Sequence, residues 1–369
     1  MKMKRLMAVL LCTLTVAALA SCTPKQPHTD ANATTTATTT AATTKKADVQ
    51  TTQGTVSTTT AATVATTTAK PEDPVTEKTE WKPIIYTKTT AKPTTTVPGL
   101  GENDFAKNPK YKLVWSDEFN GTKLNTNNWV YETGFVRNNE PQCYTKYERN
   151  VKVENGSLAL TAIKEYYDGE FAVVNDWGSQ HGQKRAANYT SGSINTSSKH
   201  DWKYGVFEMR AKMPDTNCKA AWPAFWTMGT SINGDYWPRT GEIDILESYG
   251  TNRRKYGATV HWFNQSKGQQ ASSWMNEYKQ GSMDYTHPEN LSNDWHVIGM
   301  EWDEKQIRFY FNSVTVGVFD ITDPNMDEFH RKHYAMLDLA LTSSDIGKTS
   351  AADFPFSYYV DYVRVYQKR

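Results

Sequence analysis

Apolar and polar residues alternate with period two along several short stretches of this chain, and helical periodicity is scarce. From Val206 to Met213, the residues Phe207, Met209, Ala211 and Met213 make one face, while Glu208, Arg210 and Lys212 dominate the other. This is the pattern of a β-strand with one face turned to a core. Ile307–Phe311 and Val314–Val318 flank Asn312-Ser313, which predicts a hairpin closed by a two-residue turn. Many short strands separated by turn residues predict two packed antiparallel sheets. A β-propeller would need repeats of about 40–50 residues, and no such repeat is visible.

One strand carries more charge than stability would favour. In Glu242-Ile243-Asp244-Ile245-Leu246-Glu247, carboxylates alternate with branched apolar residues, giving an acidic face and a buried face. Like charges on one face repel, so the crowding points to chemistry, although an exposed edge strand blunted by acids has the same composition. Strict alternation puts Glu242 and Asp244 together and sends Glu247 to the opposite face. A β-bulge around Ile245-Leu246 would return Glu247 to the Glu242 side. The two Glu would then be about four strand positions apart, roughly 13 Å between Cα atoms. Side chains leaning inward could narrow this to about 5–5.5 Å, the carboxylate separation of retaining glycoside hydrolysis.

Trp222-Pro-Ala-Phe-Trp226 stands just upstream. Trp222 and Trp226 are four residues apart and share a strand face, with Pro223 and Phe225 on the core side. Sugars have apolar C–H faces and polar edges, so aromatic platforms beside paired carboxylates suit a carbohydrate cleft. Trp237, shortly before the acidic strand, is a third platform candidate. Burial of the tryptophans in the core is the competing reading.

The segment resembles the active-site signature of glycoside hydrolase family 16 in its bulged form, Glu-x-Asp-x-x-Glu, as in laminarinases, agarases and carrageenases. The resemblance runs from about Tyr111 to Tyr366. It includes Trp115-Ser-Asp-Glu-Phe119, Asn138-Asn-Glu-Pro-Gln142, Tyr204-Gly-Val-Phe-Glu208, Thr259-Val-His-Trp262 and Val360-Asp-Tyr-Val-Arg-Val-Tyr366. It implies a β-jelly roll with a substrate cleft across the concave sheet. It also implies Glu242 as nucleophile, Glu247 as acid/base and Asp244 as support for the nucleophile. His261 is implied near the reducing-side subsites, and Arg137, Asn138 and Asn139 lie in a loop that the family uses for sugar hydroxyls. A structural histidine and ordinary loop polarity explain these residues equally well. A structural calcium is implied at Glu118, Gly156 and Asp361, where oxygen ligands suit the ion. Surface pairing of the two acids is the alternative there. No cofactor is expected for catalysis.

Two departures weaken the substrate assignment. Laminarinases usually carry Leu-Asn-Leu-Ala-Val-Gly-Gly near the end, whereas this chain has Leu337-Asp-Leu-Ala-Leu-Thr-Ser-Ser344. Arg239 occupies a small-residue position before Gly241, where a guanidinium could meet an anionic sugar or simply line the rim. The implied activity is retaining, endo-acting hydrolysis of β-1,3-glucan, with a galactan such as agarose or porphyran as the alternative. A carbohydrate-binding domain without turnover is a third reading, disfavoured by the intact carboxylate triad. His330 and His333, lacking further ligands, read as solvent-exposed on a helix turn.

The N-terminal region has another character. Lys2, Lys4 and Arg5 precede an apolar run, Leu6 to Leu19, that is too short to span a bilayer. The run ends in Leu19-Ala20-Ser21-Cys22, which resembles a bacterial lipobox and implies cleavage after residue 21 with a lipid on Cys22. Residues 22–103, dominated by Thr and Ala, lack the apolar surface to offset ordering entropy and are expected to be a disordered linker. About eighty such residues have a root-mean-square reach of roughly 50 Å. Trp81-Lys-Pro-Ile-Ile-Tyr86 is an apolar island within it, read as weakly packed. An exported, cell-surface lipoprotein follows as the expectation, with residues 104–369 as one catalytic domain, a monomer whose partner is polysaccharide. The net charge of +1, with no basic cluster in the folded part, disfavours nucleic acid. Export also permits a disulfide between Cys143 and Cys218, whose geometry sequence cannot test.

Overall fold

The computed structural model describes residues 99–369 except 177–178, 233 and 264–277. The signal segment, Cys22, the Trp81–Tyr86 island and nearly all of the linker therefore lie outside the described residues. The described part is mostly strand, arranged in two sheets. The inner sheet runs, in spatial order, Tyr278–Thr286, Lys255–Phe263, Glu242–Ser248, Ala221–Gly229, His333–Leu341, Ser193–Asn195 and Val130–Tyr131. The outer sheet runs Val314–Asp320, Gln306–Phe311, His296–Trp302, Gly205–Lys212, Phe356–Lys368, Ser157–Tyr167, Ala187–Ser191 and Gln142–Tyr144. Tyr111–Asp117 and Val151–Glu154 pair alongside that path. Pairing is antiparallel throughout, apart from the parallel pair between Gln142–Tyr144 and Ala187–Ser191. This is the expected jelly-roll sandwich.

Period-two alternation explains how the layers meet. Phe207, Met209 and Ala211 of the outer sheet are buried against Phe225, Ile243, Ile245, Val260, Leu337 and Leu339 of the inner one. The expected hairpin forms, with Asn312 at φ +51° in its turn, a conformation Asn tolerates better than most residues.

The polar face of Gly205–Lys212 departs from expectation, because Glu208 and Arg210 are buried too. A second apolar cluster of Phe105, Tyr111, Val206, Val297, Tyr310 and Tyr366 lies over that side of the sheet. Tyr310 and Tyr362 both donate to the Glu208 carboxylate at 3.1 Å, so the buried acid is satisfied. The folded part also begins before residue 104. Asn103 is fully buried, donating to the Asn312 carbonyl and accepting from Arg308. Cys143 and Cys218 are both buried free thiols. His330 and His333 are not on one helical turn facing solvent. His333 opens the strand His333–Leu341, fully buried and bonded to Thr227 and the Glu328 carbonyl, and His330 bonds Tyr204 and the Ile321 carbonyl.

Candidate active site

The strand Glu242–Ser248 crosses the middle of the inner sheet and carries the expected bulge. Glu242 lies opposite His261 on one neighbouring strand and Met228 on the other, and Asp244 lies opposite Thr259 and Trp226. The register then slips, so that Glu247 meets Gly257 and Ala224. Ile245 and Leu246 both point into the core, with no exposure. Two consecutive core residues supply the extra half-period, and Glu242, Asp244 and Glu247 all line one cleft. Gly241 leads into this strand at φ +77°, where a Cβ would come within 2.7 Å of Glu328 Cβ. Only glycine suits both constraints. The cleft measures about 1430 Å³, more than the ~300–1,000 Å³ of typical small-molecule pockets, as an oligosaccharide requires.

The acids are not equivalent. Asp244 is almost fully buried, with one oxygen 3.0 Å from His261 Nε2, and the same nitrogen is 3.7 Å from Glu242 Oε1. Burial, and then the adjacent Asp244 carboxylate, push Glu242 well above the usual carboxylate range, while His261 pulls it back. Burial and the charge of Glu247 raise Asp244 likewise. Two such acids in contact hold one proton between them, because both cannot ionise cheaply. Glu247 is held differently. Its Oε1 accepts from Trp222 Nε1 at 3.0 Å and from Tyr249 Oη at 2.9 Å, and its Oε2 faces Thr259 Oγ1 at 3.5 Å.

The sequence-derived binding residues divide. Trp222 lines the cleft, but one face of its ring stacks on Tyr249 at 5.5 Å. Trp226 is on the expected face yet is not a free platform. It is 7% exposed, its Nε1 donates to Asp338 at 2.7 Å, and the Arg137 guanidinium covers its ring at 5.0 Å. Trp237 is 37% exposed at the cleft rim, with its ring 6.3 Å from the His261 ring. Arg137 lines the cleft but makes a two-pronged pair with Glu132, at 3.1 and 2.7 Å. Asn139 is exposed and outside the cleft lining, and its carbonyl accepts from Ser343. Its neighbour Asn138 lines the cleft instead, bonded to Glu140. Arg239 lies over the Phe263 ring at 3.7 Å, outside the lining.

Asp338, Glu132, Glu140 and Tyr249 are cleft residues that the sequence did not single out. Asp338 was within reach, because alternation with the buried Leu337 and Leu339 puts it on the cleft face. It accepts from Tyr144 as well as Trp226. Glu132 and Glu140 sit in loops and short strands with no periodic signal.

The family model for the GH16 domain of beta-porphyranase A-D matches residues 111–368. The chain belongs to glycoside hydrolase family 16. Among its relatives, Glucan endo-1,3-beta-glucosidase A1 of Niallia circulans is 34% identical over 70% of this chain, which spans 38% of that protein. The chain thus covers well under half of that longer relative. The Beta-glucanase of Rhodothermus marinus is 31% identical over 73% of this chain and 89% of its own. A solved structure from work on endo-acting O-glycanases, expressed by prominent members of the human gut microbiota to initiate mucin breakdown, is 28% identical. It covers 75% of this chain and 94% of its own, with a TM-score of 0.60.

The calcium position expected from the family is built for another purpose here. Glu118 takes Nε and Nη2 of Arg364 at 2.9 and 2.8 Å, and Asp361 takes Arg210 at 3.0 Å. Gly156 turns the chain at φ +73° between two strands. With a guanidinium against each carboxylate, the donor set as arranged fits arginine pairing and not a divalent cation.

Proposed function

We propose that this GH16 domain is a retaining, endo-acting β-glucanase that cleaves β-1,3-linked glucan. The reaction rests on one observation, the bulge that brings Glu247 back beside Glu242 in an open cleft. Glu242 attacks the anomeric carbon while Glu247 protonates the departing oxygen. Once Glu242 is glycosylated, Glu247 takes a proton from water, which releases the sugar with its configuration retained. Asp244, held by His261 at 3.0 Å, lies beside Glu242 and supports it as the nucleophile.

The charge of the cleft supports a neutral polymer. Nine carboxylates and a single arginine line it among the described residues. That arginine is already paired with Glu132, and Asp201 and Asp235 pair with Lys332 and Arg331. With that arginine committed to Glu132, a sulfated chain would find no other arginine and no lysine among the described lining residues to pair with. The porphyranase-type family model favours a galactan as a second reading, and Asp338 in place of the laminarinase Asn keeps it in view. Incubating the purified domain with laminarin, mixed-linkage glucan, agarose and porphyran tests this. Oligosaccharides are expected from laminarin, and release from a galactan alone would overturn the glucan assignment.

We also propose that Cys22 carries a lipid that holds the enzyme at the membrane. Cys22 stands behind Leu19-Ala20-Ser21 at the end of an apolar run and ahead of a long Thr-rich stretch, the order that a lipobox and a tether require. Two acyl chains anchor stably where one anchors weakly. Cys22→Ala is expected to appear in the medium with unchanged specific activity. Retention in a salt-washed membrane fraction would contradict the anchor.

A further inference from the structure

Tyr249 lies two residues beyond Glu247, at the end of the inner-sheet strand, with its ring 37% exposed at the cleft and stacked on Trp222 at 26° between planes. Nothing in the catalytic signature calls for a phenol at this position. Its hydroxyl and the Trp222 indole nitrogen nevertheless donate to the same oxygen of Glu247, at 2.9 and 3.0 Å. A carboxyl oxygen has two in-plane lone pairs, and two donors occupy both.

We propose that Tyr249 is a positioning residue which, with Trp222, fills both acceptor sites of Glu247 Oε1 and so confines the catalytic proton to Oε2. Oε2 is the oxygen on the Thr259 side. Among the described residues, its one donor contact there is the long 3.5 Å approach of Thr259 Oγ1, which leaves it able to carry the proton and hand it to the leaving oxygen. The two donors onto Oε1 act a second time, because charge-assisted hydrogen bonds strengthen as Glu247 becomes a carboxylate. They therefore favour the transition state for proton transfer over the ground state. The phenol keeps its proton throughout. Burial, and then the neighbouring Glu247 charge, push its ionisation well above the ordinary tyrosine value.

This inference rests on the reading of Glu247 as acid/base, and the test separates the two. Tyr249→Phe keeps the ring and its stack on Trp222 and removes only the donor. Two substrates are compared: the polysaccharide cleaved by the wild type (laminarin, or the galactan if the panel selects it) and the 2,4-dinitrophenyl glycoside of the matching disaccharide. The nitrophenolate leaves without protonation, so only the polysaccharide needs the acid. Tyr249→Phe is expected to lose roughly tenfold in kcat on the polysaccharide, with KM little changed and about threefold or less lost on the activated glycoside. Glu247→Gln, assayed in parallel, should show the same split more strongly in the glycosylation step. If Glu247→Gln shows the split and Tyr249→Phe does not, the role of Tyr249 is overturned. If neither shows it, the acid/base assignment falls first and takes this proposal with it. Equal losses on both substrates for Tyr249→Phe alone would mark a merely structural tyrosine and also overturn the proposal.

Discussion

Glu242→Gln is expected to lower turnover by roughly three orders of magnitude or more while leaving the fold intact. The substitution preserves volume and removes the ionisable group, so no attack on the anomeric carbon can follow. The side chain faces the cleft beside Asp244 and His261 and is not packed in the apolar core, which is why little stability is at stake. A Glu242→Ala variant leaves a small space on that face, and azide or formate should partly restore turnover. Azide would yield a glycosyl azide of inverted configuration, because the external anion attacks where the carboxylate stood. Asp244→Asn should cost less, since Asp244 supports Glu242 without forming a bond to the sugar. Kinetics on an activated glycoside check all three variants. A Glu242 variant at near wild-type rate would remove it as nucleophile.

Stability is expected to decline from about pH 6.5 to 8, by about 2 kcal/mol in all. Burial pushes the carboxyls of Glu140, Glu208 and Glu328 up to about 7, against a usual 4.5. The folded protein therefore retains protons that the unfolded chain has already lost, and its advantage disappears as pH rises through 7. Burial lowers His296 and His333 to about 4, against a usual 6.5. There the unfolded chain holds the extra protons, so stability rises with pH between about 4 and 6.5. The two trends oppose each other below pH 6.5; above it the histidines no longer contribute, and the raised Glu242 and Asp244 add to the effect of the three glutamates. Equilibrium urea unfolding at fixed ionic strength gives the slope. Glu208→Gln keeps an acceptor for one of the Tyr310 and Tyr362 hydroxyls, offers the other an amide N–H to accept, and should reduce the decline. A stability that rises over this interval would contradict the buried neutral glutamates.

The elements that depend on local alternation were legible in the sequence. Phe207, Met209 and Ala211 declared a core face, Asn312-Ser313 declared a turn, and the spacing of Glu242, Asp244 and Glu247 required a bulge that the register confirms. What was not legible depends on segments far apart in sequence. Alternation placed Trp226 on the cleft face, but the ring is covered because a distant loop brings Arg137 over it and a neighbouring strand brings Asp338 to its nitrogen. The same limit applies to Glu208, whose polar face reads as exposed until Phe105 and Tyr111 arrive to cover it. Of the two loop asparagines, Asn138 lines the cleft and Asn139 does not; both adopt positive φ, and a loop of that shape has no alternation to say which side chain turns inward. The Glu118 and Asp361 acids were visible, but their arginine partners come from other strands.

Glu242 is expected to become covalently glycosylated during turnover. A 2-deoxy-2-fluoro glycoside with a dinitrophenyl leaving group destabilises both transition states but loses its aglycone readily, so the intermediate should accumulate. Peptide mass spectrometry after brief incubation is expected to find the added fluoroglycosyl mass on the peptide containing Glu242, with fragmentation assigning it to that residue. Label on Glu247 instead, or an unlabelled protein that still releases sugar of inverted configuration from the natural polymer, would contradict the account.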